Sequence, residues 1–333
     1  MVCAAGGWRG TAAAVSAVGC GEGKQGAPAG SRAGVGGGGG GERPPAVGDH
    51  LWTLLVVVVV ASGDRQLPRQ RRCQEAVQSA AVCRGASDGS AAGAELGFRK
   101  GAQRIRSEEA QHDPALPPWF ASYDPGAAKS ILNNGRTCRV VFDDTFDRSV
   151  LRGGPIQGAY RLRQLHFHWG SSDDHGSEHV VDGVKYAAEL HMVHWNPKHG
   201  NFAPALKQRD GVAIVGVFLK VGKTLKREMK RILEEMESIK TKGKETPFLH
   251  FDPSILFPKS RDYWTYEGSF TTPPCEECVT WILLREPIVV SPDQMAKLRS
   301  LSMNTENEPF HPLVDNWRPQ QPLKGRVVRA SFK

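Results

Sequence analysis

Two stretches of alternating apolar and polar residues dominate the chain. In Gln164-Leu165-His166-Phe167-His168-Trp169, an extended strand turns Leu165, Phe167 and Trp169 to one face and Gln164, His166 and His168 to the other. In Glu189-Leu190-His191-Met192-Val193-His194-Trp195, the same rule separates Glu189, His191, Val193 and Trp195 from Leu190, Met192 and His194. Strands are therefore predicted over residues 160–169 and 186–195. β-Branched and aromatic runs predict more over 137–142, 212–221, 279–284 and 326–332. Asn133-Asn134-Gly135, Arg152-Gly153-Gly154-Pro155 and Asp182-Gly183 supply turns between them.

Helical spacing occurs twice. Leu225, Met229, Ile232, Leu233, Met236 and Ile239 form an apolar stripe that packs on a sheet and ends at Lys242-Gly243. Ser291-Pro292-Asp293-Gln294 carries a cap, a proline at the first helical position and a capping-box glutamine, with Met295, Leu298 and Leu301 turned inward. Upstream of residue 106 the pattern disappears. Gly36 to Gly41 is unbroken glycine, flanked by Ala, Gly, Ser and Arg, a composition that buries too little apolar surface to offset ordering. Residues 1–105 read as a low-complexity, disordered or non-native extension, and 106–333 as the folded domain.

Composition removes some function classes. Lys and Arg total 43 against 35 acidic residues, a formal charge of +8. The cations are dispersed, with no basic stripe interleaved with aromatics, so nucleic acid is not expected as a partner. The apolar run Leu51 to Val60 falls short of the ~20 residues that span a bilayer and begins too far in for a signal peptide, so no membrane association is expected. The seven cysteines do not form a disulfide framework, which points to a reducing compartment. Cys275-Glu276-Glu277-Cys278 has the CxxC spacing but no second pair to complete a zinc site, and reads as two thiols.

His166 and His168 alone suit a buried structural pair as well as a metal. His191 changes that picture. It lies 23 positions beyond His168 with a turn at Asp182-Gly183 between, as a neighbouring strand would. Three imidazoles on adjacent strands form an open site with a fourth tetrahedral position for water, and an all-nitrogen donor set suits zinc better than calcium or magnesium. Gln164 and Glu189 each precede a histidine by two residues on the same face, placed to hold its other ring nitrogen. His194 faces away from His191 and reads as a core histidine; His179, beside Glu178, reads as a structural hydrogen-bonding group.

From His112 onward the chain resembles the α-class carbonic anhydrases. The resemblance rests on Leu132-Asn133-Asn134-Gly135, Phe142-Asp143-Asp144, His166-Phe167-His168-Trp169-Gly170, Gly176-Ser177-Glu178-His179 and Tyr186-Ala187-Ala188-Glu189-Leu190-His191. Asp262-Tyr263-Trp264-Thr265-Tyr266, Thr271-Thr272-Pro273-Pro274 and Asp315-Asn316-Trp317-Arg318-Pro319 follow in the family's order. Phe270, Arg139, Arg163, Cys275 and Cys278 point to its cytosolic muscle form. The resemblance implies a mainly β (α+β) single domain with a large, twisted, mostly antiparallel central sheet and peripheral helices. It implies reversible hydration of carbon dioxide to bicarbonate by a cytoplasmic monomer, with Zn2+ held by His166, His168 and His191. Thr271 matches a threonine that donates to a buried carboxylate, matched by Glu178, and so aims the nucleophile. Thr272, Phe270, Val193, Ile214 and Trp281 match the substrate space.

Two departures from the fast family members bear on rate. A histidine proton shuttle follows the Asn-Asn-Gly turn in those members; here Arg136 stands there, with Arg139 nearby, and a guanidinium does not relay protons near neutral pH. Phe270 replaces a smaller leucine and narrows the site. A slow enzyme is expected. Alternation puts Arg163 on the face opposite the ligands, at the rim at most. The family's N-terminal segment is not recognisable before His112. The competing readings are a non-catalytic carbonic-anhydrase-like binding module and a thiol-based oxidative-stress protein.

Overall fold

The computed structural model describes residues 102–333. The glycine run, the apolar run at 51–60 and Cys3, Cys20, Cys73 and Cys83 lie outside the described residues. The first strands in chain order are β1 (Arg104–Ile105), β2 (Gln111–His112), β3 (Trp119–Ser122), β4 (Ala128–Asn133), β5 (Cys138–Phe142), β6 (Val150–Gly153), β7 (Ala159–Trp169) and β8 (Val180–Val181). They continue with β9 (Ala188–Trp195), β10 (Val212–Val221), β11 (Glu245–Pro247), β12 (Tyr263–Gly268), β13 (Val279–Leu284), β14 (Ile288–Val290) and β15 (Arg329–Ala330).

Thirteen of these strands form one sheet in the order β11-β4-β5-β7-β9-β10-β13-β12-β15-β2, with β14 on β10, β6 on β7 and β3 on β6. Most pairs are antiparallel; β10 with β13, β10 with β14 and β15 with β2 are parallel. The fold is a single mainly-β domain, as expected. β7 and β9 sit at its centre because both faces are covered. Leu165, Phe167, Trp169, Leu190 and Met192 join a cluster with Ile232, Met236, Phe248 and Phe251 on one side. Val193, Trp195, Ile214, Phe218 and Trp281 pack on the other. Alternation in β9 thus separates two interiors rather than interior from solvent, and all eight of its residues are buried.

The capping-box helix forms as read, over α3 (Pro292–Arg299), with α1 (Phe202–Ala205) and α2 (Lys230–Glu234) being short. The stripe at 225–239 needs correction. It is a 3-10 turn at Arg227–Met229, then α2, then turns. Met229, Ile232, Leu233, Met236 and Ile239 are all buried, whereas Leu225 is 54% exposed. Beyond Glu234 the chain tightens, Met236 N donating to Leu233 O, and the apolar residues reach the core through turns. The strand expected over 326–332 shrinks to two residues, β15, because Arg326 turns back to donate to the Leu323 and Pro322 carbonyls.

Phe167 is fully buried between the ligand positions and the larger cluster. Phe167→Ala should lower unfolding free energy by about 3–5 kcal/mol in urea titration; a loss below about 1 kcal/mol would show that this layer does not support the central strand.

Candidate metal centre

Strand register brings the three histidines together. In the antiparallel β7–β9 pair, His166 lies directly opposite His191 and His168 opposite Glu189. Ring centroids are 4.9 Å apart for His166–His168, 5.2 Å for His166–His191 and 4.7 Å for His168–His191. All three side chains are buried. One ring nitrogen from each lies within 4.8 Å of the other two. On the next strand Gly216 faces His191, and a Cβ there would come 2.6 Å from Leu283 Cδ2 and 3.5 Å from Glu189 Oε1. Only glycine leaves this corner open.

Each imidazole is held from behind. His166 Nδ1 donates to Gln164 Oε1 at 3.0 Å, His168 Nδ1 to the Asn316 carbonyl at 2.8 Å, and His191 Nε2 to Glu189 Oε1 at 2.7 Å. With those nitrogens protonated, the lone pairs of His166 Nε2, His168 Nε2 and His191 Nδ1 face inward. His191 Nδ1 is buried with no hydrogen-bond partner among the described residues, and His166 Nε2 and His168 Nε2 stand 3.1 Å apart. Two opposed lone pairs at that distance repel unless a cation lies between them. Nitrogens bound at about 2.0–2.1 Å around a tetrahedral zinc are themselves about 3.3 Å apart, so the donor set fits that ion. It lacks the oxygen ligands that calcium and magnesium need.

The electrostatics favour neutral imidazoles. Burial, reinforced by the neighbouring His168 and His191, holds the His166 imidazole well below its usual range. Burial also lowers His191, with Glu189 opposing. For Glu189 itself burial pushes the carboxyl up, but His179 and His191 together outweigh it and hold it well below the usual carboxylate range. His179 Nδ1 donates to Glu189 Oε1 at 2.6 Å and its Nε2 lies 2.6 Å from the Tyr266 hydroxyl, so Tyr266, His179, Glu189 and His191 form one buried chain. His194 sits apart, 2.8 Å from the Tyr123 hydroxyl.

Glu178 is also buried beside the ligands, its Oε1 3.4 Å from His168 Nδ1 and its Oε2 3.9 Å from His191 Nδ1. Oε1 accepts from Arg318 N, while Oε2 has no hydrogen-bond partner among the described residues. The hydrogen bond from Thr271 implied by the resemblance is therefore not formed, although Thr271 is buried. Val193, Ile214 and Trp281 share one buried cluster against which Phe270 packs, and the Trp281 ring lies 4.8 Å from His191. Thr272 is exposed.

Arg136 is exposed on the turn after Asn134-Gly135, and Arg139 lies opposite His166 on β5. Arg139 Nε is buried without a partner among the described residues, and burial with the neighbouring Arg163 charge pulls its guanidinium below the usual range. Arg163 is a correction. The β7–β9 register shifts between Leu162 and Gln164, so strict alternation fails there. Arg163 stands on the ligand side, stacked 4.5 Å over Phe202 and paired with Asp144 at 2.6 Å. Asn316 was missed as a site residue: its carbonyl does the work and no side-chain pattern reveals it, although it lies within the block Asp315 to Pro319.

The family model of eukaryotic-type carbonic anhydrases matches residues 104–332. Carbonic anhydrase 3 of Mus musculus is 71% identical over 229 residues, covering 69% of this chain and 88% of that protein. The proteins of the same name from Equus caballus and Homo sapiens are 70% and 68% identical over the same length and coverage. The chain belongs to the eukaryotic-type carbonic anhydrase family, a family of lyases that interconvert carbon dioxide and bicarbonate.

His194 sets a pH dependence separate from the ligands. Burial pulls its imidazole down to about 4. The unfolded chain takes up this proton below about 6.5 and the native protein does not, so stability falls as pH drops from 6.5 towards 4, by about 3 kcal/mol in total. His194→Phe should flatten that slope in denaturant titrations across this range, even though Tyr123 loses its partner; an unchanged slope would reject the assignment.

Proposed function

We propose that the chain catalyses a slow, zinc-dependent hydration of carbon dioxide through its domain at residues 106–333. The observation that carries this reading is the set of three inward lone pairs, each on an imidazole whose outer nitrogen already has an acceptor. His166, His168 and His191 would hold the ion. When bound, zinc acidifies a water ligand to near neutrality, an effect for which carbonic anhydrases are themselves the reference case.

The surrounding residues divide the remaining work. Gln164, Glu189 and the Asn316 carbonyl fix tautomer and ring orientation, so no reorganisation is needed when a ligand arrives. Val193, Ile214, Phe270 and Trp281 offer an apolar wall that suits a nonpolar substrate and excludes excess water. The Thr271 hydroxyl would orient the attacking oxygen by donating to Glu178. Glu178 Oε2, a buried acceptor without a partner, supports that pairing, and Thr272 would line the outer part of the substrate space. Cationic Arg139 near the ligands favours an anionic state at the centre.

Slowness follows from what stands at the proton exit. A guanidinium stands where a relay would need an imidazole, at Arg136, and Phe270 would take up room above the ligands. The domain would act as a cytoplasmic monomer on carbon dioxide and bicarbonate, without nucleic-acid or membrane partners; no helix among the described residues is long and apolar enough to cross a membrane. A thiol-based role is less well supported. Cys275 and Cys278 are buried, and burial pushes the Cys278 thiol up to about 12, away from the thiolate that oxidation chemistry needs. A non-catalytic module has no use for three intact ligands.

Stopped-flow hydration by zinc-loaded protein in weak buffer tests the reading. Turnover should exceed the buffer rate, and Arg136→His should raise it roughly tenfold or more; no activity above buffer with zinc bound would sink the enzymatic claim, and an unchanged rate in the variant would remove the proton-exit argument. Glu189→Gln should weaken zinc affinity about 10–100-fold in chelator competition, since it takes the charge from behind His191. Unaltered affinity would mean that Glu189 does not support the ligand.

A further inference from the structure

The segment Asp315-Asn316-Trp317-Arg318 has no regular secondary structure, yet three functional positions hang on it. The Asn316 carbonyl accepts from His168 Nδ1, and Arg318 N donates to Glu178 Oε1. The Asn316 side chain makes a third connection. Its Oδ1 accepts from Trp169 N at 2.7 Å, and its Nδ2 donates to the Arg136 carbonyl at 2.9 Å. A weaker contact reaches the Phe167 carbonyl at 3.4 Å. One amide therefore bridges the end of the ligand strand and the turn that carries the proton-exit position.

That turn is otherwise shaped from within. Gly135 N donates to Asn133 Oδ1, and Arg136 N and Thr137 N both donate to Asn134 Oδ1. These bonds set the turn's shape, not its distance from the histidines. Thr137, whose hydroxyl donates to the Phe167 carbonyl at 2.5 Å, anchors the far end of the turn to β7. Arg136 itself is exposed. The segment carrying Asn316 is braced in turn: Asp315 Oδ1 accepts from Ser171 N at 3.1 Å and lies 2.7 Å from His175 Nε2.

We propose that the Asn316 side chain is a positioning residue for the proton-exit turn, holding residue 136 at a fixed place relative to the metal ligands, so that a relay group introduced there works from a set position. A proton relay needs a short, constant path, and a tethered backbone carbonyl restricts where the side chain of residue 136 can swing. The inference rests on the proton-exit reading given under Proposed function.

Asn316→Ala removes the amide and keeps the backbone carbonyl that faces His168. If that variant does not fold, isosteric Asn316→Asp keeps the acceptor for Trp169 N and loses the donor to Arg136. Two measurements on the full-length, zinc-loaded protein separate the tether from the chemistry. In hydrogen exchange, the Arg136 and Thr137 amides should exchange about five- to tenfold faster in the variant. In weakly buffered stopped flow, the gain from Arg136→His should fall to less than about a third in the double variant, and added imidazole, carrying protons through solution, should bring single and double variants to the same turnover. Unchanged exchange at 136 and 137, or a full gain kept in the double variant, overturns the inference. Failure of imidazole to equalise the two places the defect at the metal and also overturns it. Accelerated exchange with no gain from Arg136→His alone overturns the proton-exit reading, and with it the catalytic half of this inference, while the tether itself stands.

Discussion

The pairing of β7 with β9 is the constraint on which the rest of the structure depends. Side chains alternate with a period of two, so a slip of one residue would send His191 to the face of Leu190 and bury the apolar residues of β9 on the wrong side. Two separate cores prevent that slip. Leu165, Phe167, Leu190 and Met192 are claimed by one, Val193, Trp195 and Ile214 by the other. Hydrophobic packing on both faces thus sets the register, and the register sets the metal centre.

The charges around the three histidines would suit a divalent cation. Three imidazoles stand beside two fully buried carboxyl groups, Glu178 and Glu189. Glu189 is held ionised by His179 and His191. A buried carboxylate is costly without a nearby positive charge, and a doubly charged ion held by the three inward nitrogens would supply one, with the His191 ring between it and Glu189. Arg139 and Arg163 stand on the same side, so the approach to the ligands is cationic while the back of the site is anionic.

Much of this is visible in the amino-acid sequence, and the parts that are not share a physical reason. Alternation correctly groups Gln164, His166 and His168 and pairs Glu189 with His191, because both strands are regular from Gln164 onward. The same rule fails for Arg163, one residue upstream, where the register shift reverses its side. The stripe at 225–239 has, Leu225 apart, the right buried residues and the wrong backbone, since burial requires only that apolar groups reach the core. Backbone chemistry is hidden most completely: the Asn316 carbonyl behind His168 and the Arg318 amide on Glu178 come from peptide groups that every residue possesses. Thr271 and Glu178, paired by resemblance, are both buried without the bond between them.

The central claim is that His166, His168 and His191 together bind one zinc ion. Metal analysis combined with X-ray absorption spectroscopy on protein purified without added metal tests it most directly. The account predicts about one zinc per chain, with three imidazole nitrogens and one lighter oxygen-type ligand at about 2.0–2.1 Å. Sulfur in the coordination shell at about 2.3 Å would move the ion to the cysteines, and a zinc content unaffected by changing His191 to Ala would contradict the claim outright.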